Sequence, residues 1–290
     1  VHPDEFFDGV SQAEIDLDGD LVKLPIFYRD GEAITGVFPA RLGALRKVLP
    51  DRRLKPARVA PGVGAVTITC FEYRESDVGV YNELAVGIIL TGSEGGLNLP
   101  MHKLMDGVLG GQMHAYIHHL PVTTDLALRS GRQLWNFPKT VNPIDFEEDA
   151  RSRTCHLSEG DTPILSLRVP KLIGDRSEQI QLFTHVYQDG QIQSGEFKLW
   201  ASGSGRTLQP GAATLTLGSN HPIAQELNEV LISTKSMAAS YIPSIIGILY
   251  GPDRISANMI QLAAKLQAAR KVPRKKVPPE AVADKTPVAA

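Results

Sequence analysis

Lys139 stands directly after Phe137-Pro138 in the stretch DLALRSGRQLWNFPKTV, close to two large aromatic rings, Trp135 and Phe137. An amine beside apolar rings loses hydration, which disfavours its charged form and lowers its pKa. A lysine made neutral near neutral pH can attack a ketone and form a Schiff base. The residue types alone leave a second reading open, in which Lys139 runs its stem over Trp135 and holds its charge in solvent. Pro138 biases Phe137 toward β or polyproline geometry. With residues 133–139 read as extended, Trp135, Phe137 and Lys139 share one face, and Arg132, Leu134 and Asn136 share the other. Before them Thr124 can cap a short helix, Asp125 suits its positive end, and Gly131 is read as its left-handed stop.

The run GRQLWNFPKT resembles the signature of the acetoacetate decarboxylase family: Gly-Arg-Glu, a few hydrophobic or small residues, then Pro-Lys-Lys. The spacing from Arg132 to Lys139 fits that pattern. The resemblance implies that Lys139 forms the Schiff base, in a family where a cationic neighbour activates the lysine. Two positions depart from the pattern, Thr140 at the second lysine and Gln133 at the glutamate. Their identities remove one means of lowering the Lys139 pKa and leave desolvation and Arg132 to do it. The segment FEYRESDVGVYNELAVGI is similar to the family's Gly-x-Tyr-x-Glu motif, with its glutamate on Glu83. In a strand Glu83 shares a face with Tyr81 and Ala85, from which it would orient substrate or tune Lys139 and Arg29.

The ALRKVLP helix also resembles the family's N-terminal part. An active-site arginine precedes it there, and Arg29 is the nearest candidate, with a solvated turn arginine as the alternative. The run GPDRI is similar to the family's closing corner, with Gly251, Pro252 and Arg254 at matching places. The resemblance thus implies catalytic roles for Lys139, Glu83 and Arg29, and substrate binding by Arg132, Trp135 and Phe137, without a cofactor. The first reaction it implies is decarboxylation of a β-keto acid such as acetoacetate. A Schiff-base aldolase or dehydratase acting on pyruvate-like 2-keto acids is the runner-up, and a non-catalytic binder of small molecules is the third reading.

These residues need strands to hold them. Residues 21–28 and 32–38 read as strands joined at Asp30-Gly31, a hairpin signal because that pair accepts positive φ. A helix over 41–49 follows, with Leu42, Leu45 and Leu49 on one face and Pro50 as its stop. Strands are predicted at 65–73, 81–91, 112–120, 143–146, 154–157, 164–170, 179–187, 193–201 and 245–250, with a second hairpin at Asp189-Gly190. A helix is predicted over 222–232, where Pro222 fits the first turn, and another over 256–269. So many strands without intervening helices imply antiparallel pairing and a curled sheet or barrel. The fold class is therefore α+β and predominantly antiparallel β; the resemblance specifies a cone-shaped barrel with a few flanking helices. Residues 1–20 read as a surface segment, 21–270 as the barrel domain, and 271–290 as a disordered tail rich in proline, alanine and charge.

The 290 residues are 42% hydrophobic and 21% charged with a net charge of −2, enough for a substantial core and without a field that favours nucleic acid or membrane. Cys70 and Cys155 read as buried reduced thiols. No run approaches the about 20 apolar residues of a membrane span, and the polar start lacks a signal-peptide core, so the cytoplasm is expected. The partners expected are a small keto acid and further copies of the chain. The glycine-rich 92–111 lacks the ending of a phosphate loop and reads as a loop near the pocket. His114 and His118 have helical metal-ligand spacing, but no glutamate and third ligand complete a zinc site; the polar face of a strand accounts for them, and no metal is expected.

Overall fold

The computed structural model describes residues 5–91 and 112–251. The predicted 92–111 loop, the 256–269 helix, the GPDRI corner beyond Gly251 and the 271–290 tail lie outside them. In chain order the elements are β1 (Ala13–Leu17), β2 (Asp20–Leu24), β3 (Ile26–Arg41), α1 (Leu42–Val48), β4 (Val63–Ser76), β5 (Tyr81–Ile89), β6 (Gln112–Val122), α2 (Asp125–Trp135), β7 (Lys139–Val141), β8 (Ile144–Glu148), β9 (Ser152–Glu159), β10 (Thr162–Pro170), β11 (Arg176–Gln188), β12 (Gln191–Thr207), β13 (Thr214–Leu217), α3 (Pro222–Val230) and β14 (Ala238–Leu249).

Both faces of the central strands are apolar because each looks onto its own core. Along β4, Ile68 and Cys70 pack outward with Ile34, Leu84, Cys155, Leu157, Leu165 and Leu167. Phe71 and Tyr73 pack the other way, with Tyr28, Tyr81, Phe137 and Phe197. The outward core is covered by a separate sheet ordered β13-β10-β9-β8, while the inward core fills a ring ordered β11-β12-β14-β3-β4-β5-β6. The ring closes through parallel pairing of residues 112–116 of β6 with 181–185 of β11. The remaining length of that β6 edge, residues 120–122, pairs in parallel with β7. The result is the curled, antiparallel-rich barrel with flanking helices that the strand succession predicts. Cys70 and Cys155 are free thiols in the outward core, and burial, with Cys155 beside it, pushes the Cys70 thiol up.

Three of the chain's Asp-Gly pairs, those at 18–19, 30–31 and 189–190, behave in two ways. Asp189 and Gly190 have φ of 51° and 80° and turn β11 into β12 as predicted. Asp18 and Gly19, at 56° and 99°, turn β1 into β2, so the segment over residues 1–20 contains a paired strand at 13–17 that the sequence reading does not give. Asp30 and Gly31 make no hairpin. Strand β3 runs straight through them, with a register irregularity against β4. A Cβ on Gly31 would lie 2.8 Å from the Glu72 carbonyl oxygen and 3.2 Å from Ile245 Cγ1, so this glycine admits neighbouring chains rather than a positive φ.

Candidate active site

The side chain of Lys139 ends inside the ring. Thr124 caps α2, its hydroxyl accepting from the Ala127 N–H, with Asp125 in the first turn as read from sequence. The helix does not stop at Gly131. It continues to Trp135 and ends on Asn136, whose left-handed φ of 55° lets the N–H groups of Asn136 and Phe137 donate to the carbonyls of Arg132 and Gly131, both at 3.1 Å. Asparagine tolerates that conformation better than most residues, and its side-chain amide donates across to Gln193 Oε1 on β12 at 2.7 Å. The chain then doubles back under the helix. Pro138 follows, and Arg132 Nε donates to the Lys139 carbonyl at 2.8 Å, fixing the backbone from which the amine projects.

Gly131 has a different use from the one predicted. A Cβ there would sit 2.5 Å from both Cδ and Cε of Lys139, so its bare backbone is the wall along which the lysine stem lies. Lys139 is 4% exposed and its Nζ donates to Glu83 Oε2 at 2.8 Å. The amine also lies 5.4 Å from the centre of the Tyr81 ring. Strand alternation carries Tyr81, Glu83 and Ala85 to the inner face of β5, while Leu84 and Val86 join the outer core.

Lys139 and Glu83 open on a cavity of about 70 Å³ lined by Tyr28, Phe71, Tyr73, Ala85, Ile117, Leu120, Phe137, Leu182, Thr184, Phe197 and Leu249. Each strand of the ring contributes to it. Three tyrosines stand beside the ion pair: Tyr81, which strand alternation sets on the face of Glu83, and Tyr28 and Tyr73, which the sequence does not single out. The Tyr28 and Tyr81 hydroxyls are 3.1 Å apart, and the buried Tyr73 hydroxyl has no hydrogen-bond partner among the described residues. Burial and the Glu83 charge push all three phenols up. Their signal in the sequence is alternation: Tyr73, Tyr81 and Glu83 occupy inward positions on neighbouring strands, with Tyr73 directly opposite Tyr81.

A second, larger opening of about 330 Å³ lies at the seam where β11 and β7 share the β6 edge; Tyr116, Ile117, Arg132, Asn136, Phe137, Pro138 and Tyr187 are among its walls. Ile117 and Phe137 belong to both spaces, so the outer opening abuts the lysine cavity through two apolar side chains.

The other predicted site residues divide. Phe137 lines the cavity and Arg132 lines the outer opening. Trp135 does not line the cavity: it ends the helix, stacks on Phe137 with centroids 6.0 Å apart, and its indole N–H donates to the Tyr250 carbonyl. Arg29 does not join the lysine. Its guanidinium is committed to Asp77 at 2.8 Å and lies over the Phe27 ring, and the β3 residue that lines the cavity is its neighbour Tyr28. The two positions that depart from the signature also point away. Thr140 is exposed and bonds Asn142, while the Gln133 amide bonds Asp18.

A buried primary amine with a carboxylate in contact, beside phenols in an apolar cavity, is equipped for proton transfer and carbonyl addition. No described helix is long and apolar enough to cross a membrane.

The family model for acetoacetate decarboxylase matches residues 17–251. Among solved structures, acetoacetate decarboxylase from Legionella pneumophila aligns over 86% of this chain and 93% of its own, with 13% identity and a TM-score of 0.54. Another acetoacetate decarboxylase aligns over 78% and 87% with 16% identity and a TM-score of 0.53. The enduracididine biosynthesis enzyme MppR, complexed with pyruvate, aligns over 78% and 88% with 14% identity and a TM-score of 0.50. No curated protein matches the chain by sequence.

Proposed function

Because the chain belongs to the acetoacetate decarboxylase family, we propose that it is a Schiff-base enzyme of small keto acids, with Lys139 as nucleophile and decarboxylation of a β-keto acid as its reaction. The observation that carries this reading is the 2.8 Å contact between the buried Lys139 amine and Glu83 at the head of the cavity. Glu83 is a base within reach of the amine's proton, and taking it frees the nitrogen lone pair. The amine adds to the ketone, and loss of water gives a protonated imine. That imine accepts the electron pair of the bond to the carboxylate, so carbon dioxide leaves without a free carbanion. Protonation of the enamine carbon and hydrolysis of the imine release the shortened ketone and restore the amine.

A cavity of about 70 Å³ with apolar walls supports a short substrate. The Tyr73 hydroxyl, without a hydrogen-bond partner among the described residues, is suited to a polar end of that substrate. Arg132, in the outer opening, is suited to drawing a carboxylate toward the seam. Arg29, paired with Asp77, has no part in this reading. A second reading, aldol or dehydration chemistry on a 2-keto acid, is favoured by the phenols beside the amine, since the Tyr28–Tyr81 pair offers an acid for the loss of a hydroxyl.

Borohydride added with acetoacetate or with pyruvate tests both. The expected result is a reduced adduct on Lys139 by peptide mass spectrometry, absent from Lys139→Met, with carbon dioxide release from acetoacetate. An adduct with pyruvate and no carbon dioxide from any β-keto acid would leave the second reading in place. No adduct with either substrate would overturn both.

A further inference from the structure

Strand β6 carries an irregularity that the lysine chemistry does not use. Its residues Ile117 and Leu120 both line the cavity, although strict alternation separates inward positions by two rather than three. The cause is in the register with β5: His119 lies opposite Val86 but Ile117 lies opposite Gly87, so His118 is an extra residue. Such a bulge re-aims side chains, and here two consecutive histidines turn away from the cavity together. Their rings lie side by side, 4.1 Å between centroids.

Both rings aim Nε2 at one oxygen of Glu226 on α3. His119 is 3.4 Å from it, and His118 is closer. The donor atoms of His118, His119 and Glu226 all lie within 4.8 Å of one another, and all three residues are half-buried. The carboxylate is held in place by its helix. His221 caps α3 by accepting from the Ile223 N–H at 3.2 Å, Pro222 opens the first turn, and Leu227 and Val230 seat it in the outer core.

Two imidazoles and a carboxylate are the donors of a borderline-soft divalent ion. Bonds of ~2.0 Å to zinc put tetrahedral ligands roughly 3.3 Å apart, the scale on which these three atoms are gathered. Three protein donors leave one position for water. Hard ions such as magnesium and calcium select oxygen-rich sets instead. A metal would also replace an arrangement in which two ring protons compete for one carboxylate oxygen.

We propose that His118, His119 and Glu226 form a zinc site that fastens α3 to the outer wall of the barrel, on the face of β6 turned away from Lys139. Histidines at i and i+4 are the pattern a sequence search looks for, and this pair is adjacent in the chain, made convergent only by the bulge. The third donor comes from more than a hundred residues further on.

Chelator-treated full-length protein, titrated with zinc sulfate against a chromogenic indicator, is expected to take up one zinc per chain and to melt at a higher temperature with zinc but not with magnesium. His118→Ala and Glu226→Gln are each expected to weaken zinc binding at least tenfold and to remove the zinc-dependent rise in Tm. His156→Ala, on β9, should leave both unchanged. Glu226→Gln keeps the shape of the side chain, so a folded far-ultraviolet spectrum for it separates loss of the site from loss of the fold. Absence of zinc uptake by the wild-type chain, or uptake that survives both His118→Ala and Glu226→Gln, would overturn the proposal. These readouts do not involve Lys139, so they stand apart from the keto acid reading.

Discussion

At the scale of single residues the main energetic fact is a charged pair kept almost dry. Lys139 and Glu83 have side chains only 5% and 11% exposed. Removing two such groups from water costs several kcal/mol per ion, and their mutual attraction offsets it only with good geometry. The pair therefore adds little net stability compared with apolar residues of the same size, yet losing one member strands the other. Lys139→Met should destabilise the fold by about 3 kcal/mol, and Lys139→Met with Glu83→Leu should recover most of that loss, both without imine formation. Urea denaturation of the two single variants and the double variant measures the coupling. If the double variant is as unstable as the sum of the singles, the pair is not coupled, and the picture of Glu83 as the amine's partner fails.

Secondary-structure elements decide where those residues go, and here local signals read well until one residue type had two possible uses. Strand period placed Glu83 beside Tyr81 facing inward, and Thr124 opened α2, because both depend on side chains near in sequence. Gly31 and Gly131 depart from their expected turn and stop for a common reason. Glycine marks either a positive φ or a close approach, and the partner that approaches (Ile245 in one case, the Lys139 stem in the other) is invisible to a window of neighbouring residues. Arg29 and Trp135 sit apart from the cavity lining for a related reason, since the Asp77 ion pair and the Tyr250 carbonyl that engage them are distant along the chain. The Gly131 result has a measurable consequence. Alanine is the better helix former by about 1 kcal/mol, a gain that offsets the cost of the new contact with the Lys139 stem, so Gly131→Ala should unfold in urea at close to the wild-type midpoint. Its methyl group would nonetheless displace the Lys139 stem and draw Nζ away from Glu83, so borohydride trapping should fall at least tenfold. A variant that loses stability and keeps its trapping rate would refute the packing role given to this glycine.

For the molecule as a whole, the feature that makes a cavity possible is closure of the ring, and closure depends on the short parallel contact between β6 and β11. A pair of histidines spans it. His114 Nδ1 and His185 Nε2 are 3.0 Å apart, Phe183 stacks on His114, and the Ser194 hydroxyl meets His185 Nδ1 at 2.9 Å. Burial, with His114 opposite, pulls the His185 pKa down to about 4. An unfolded histidine titrates near ~6.5, so between these values the unfolded chain binds the proton that the folded chain refuses. Stability from this group is therefore complete above the unfolded value, declines as pH falls toward about 4, and changes no further below it. After allowance for partial exposure the loss is on the order of 2 kcal/mol. His185→Asn removes the titrating group and keeps a polar partner for Ser194. Urea midpoints for both proteins across that range should converge as pH falls, the wild type losing more than the variant; parallel curves would mean that the seam does not sense pH through His185. Acid would thus loosen the joint beside which the outer opening lies, so trapping on Lys139 should decline over the same interval more steeply in the wild type than in the variant.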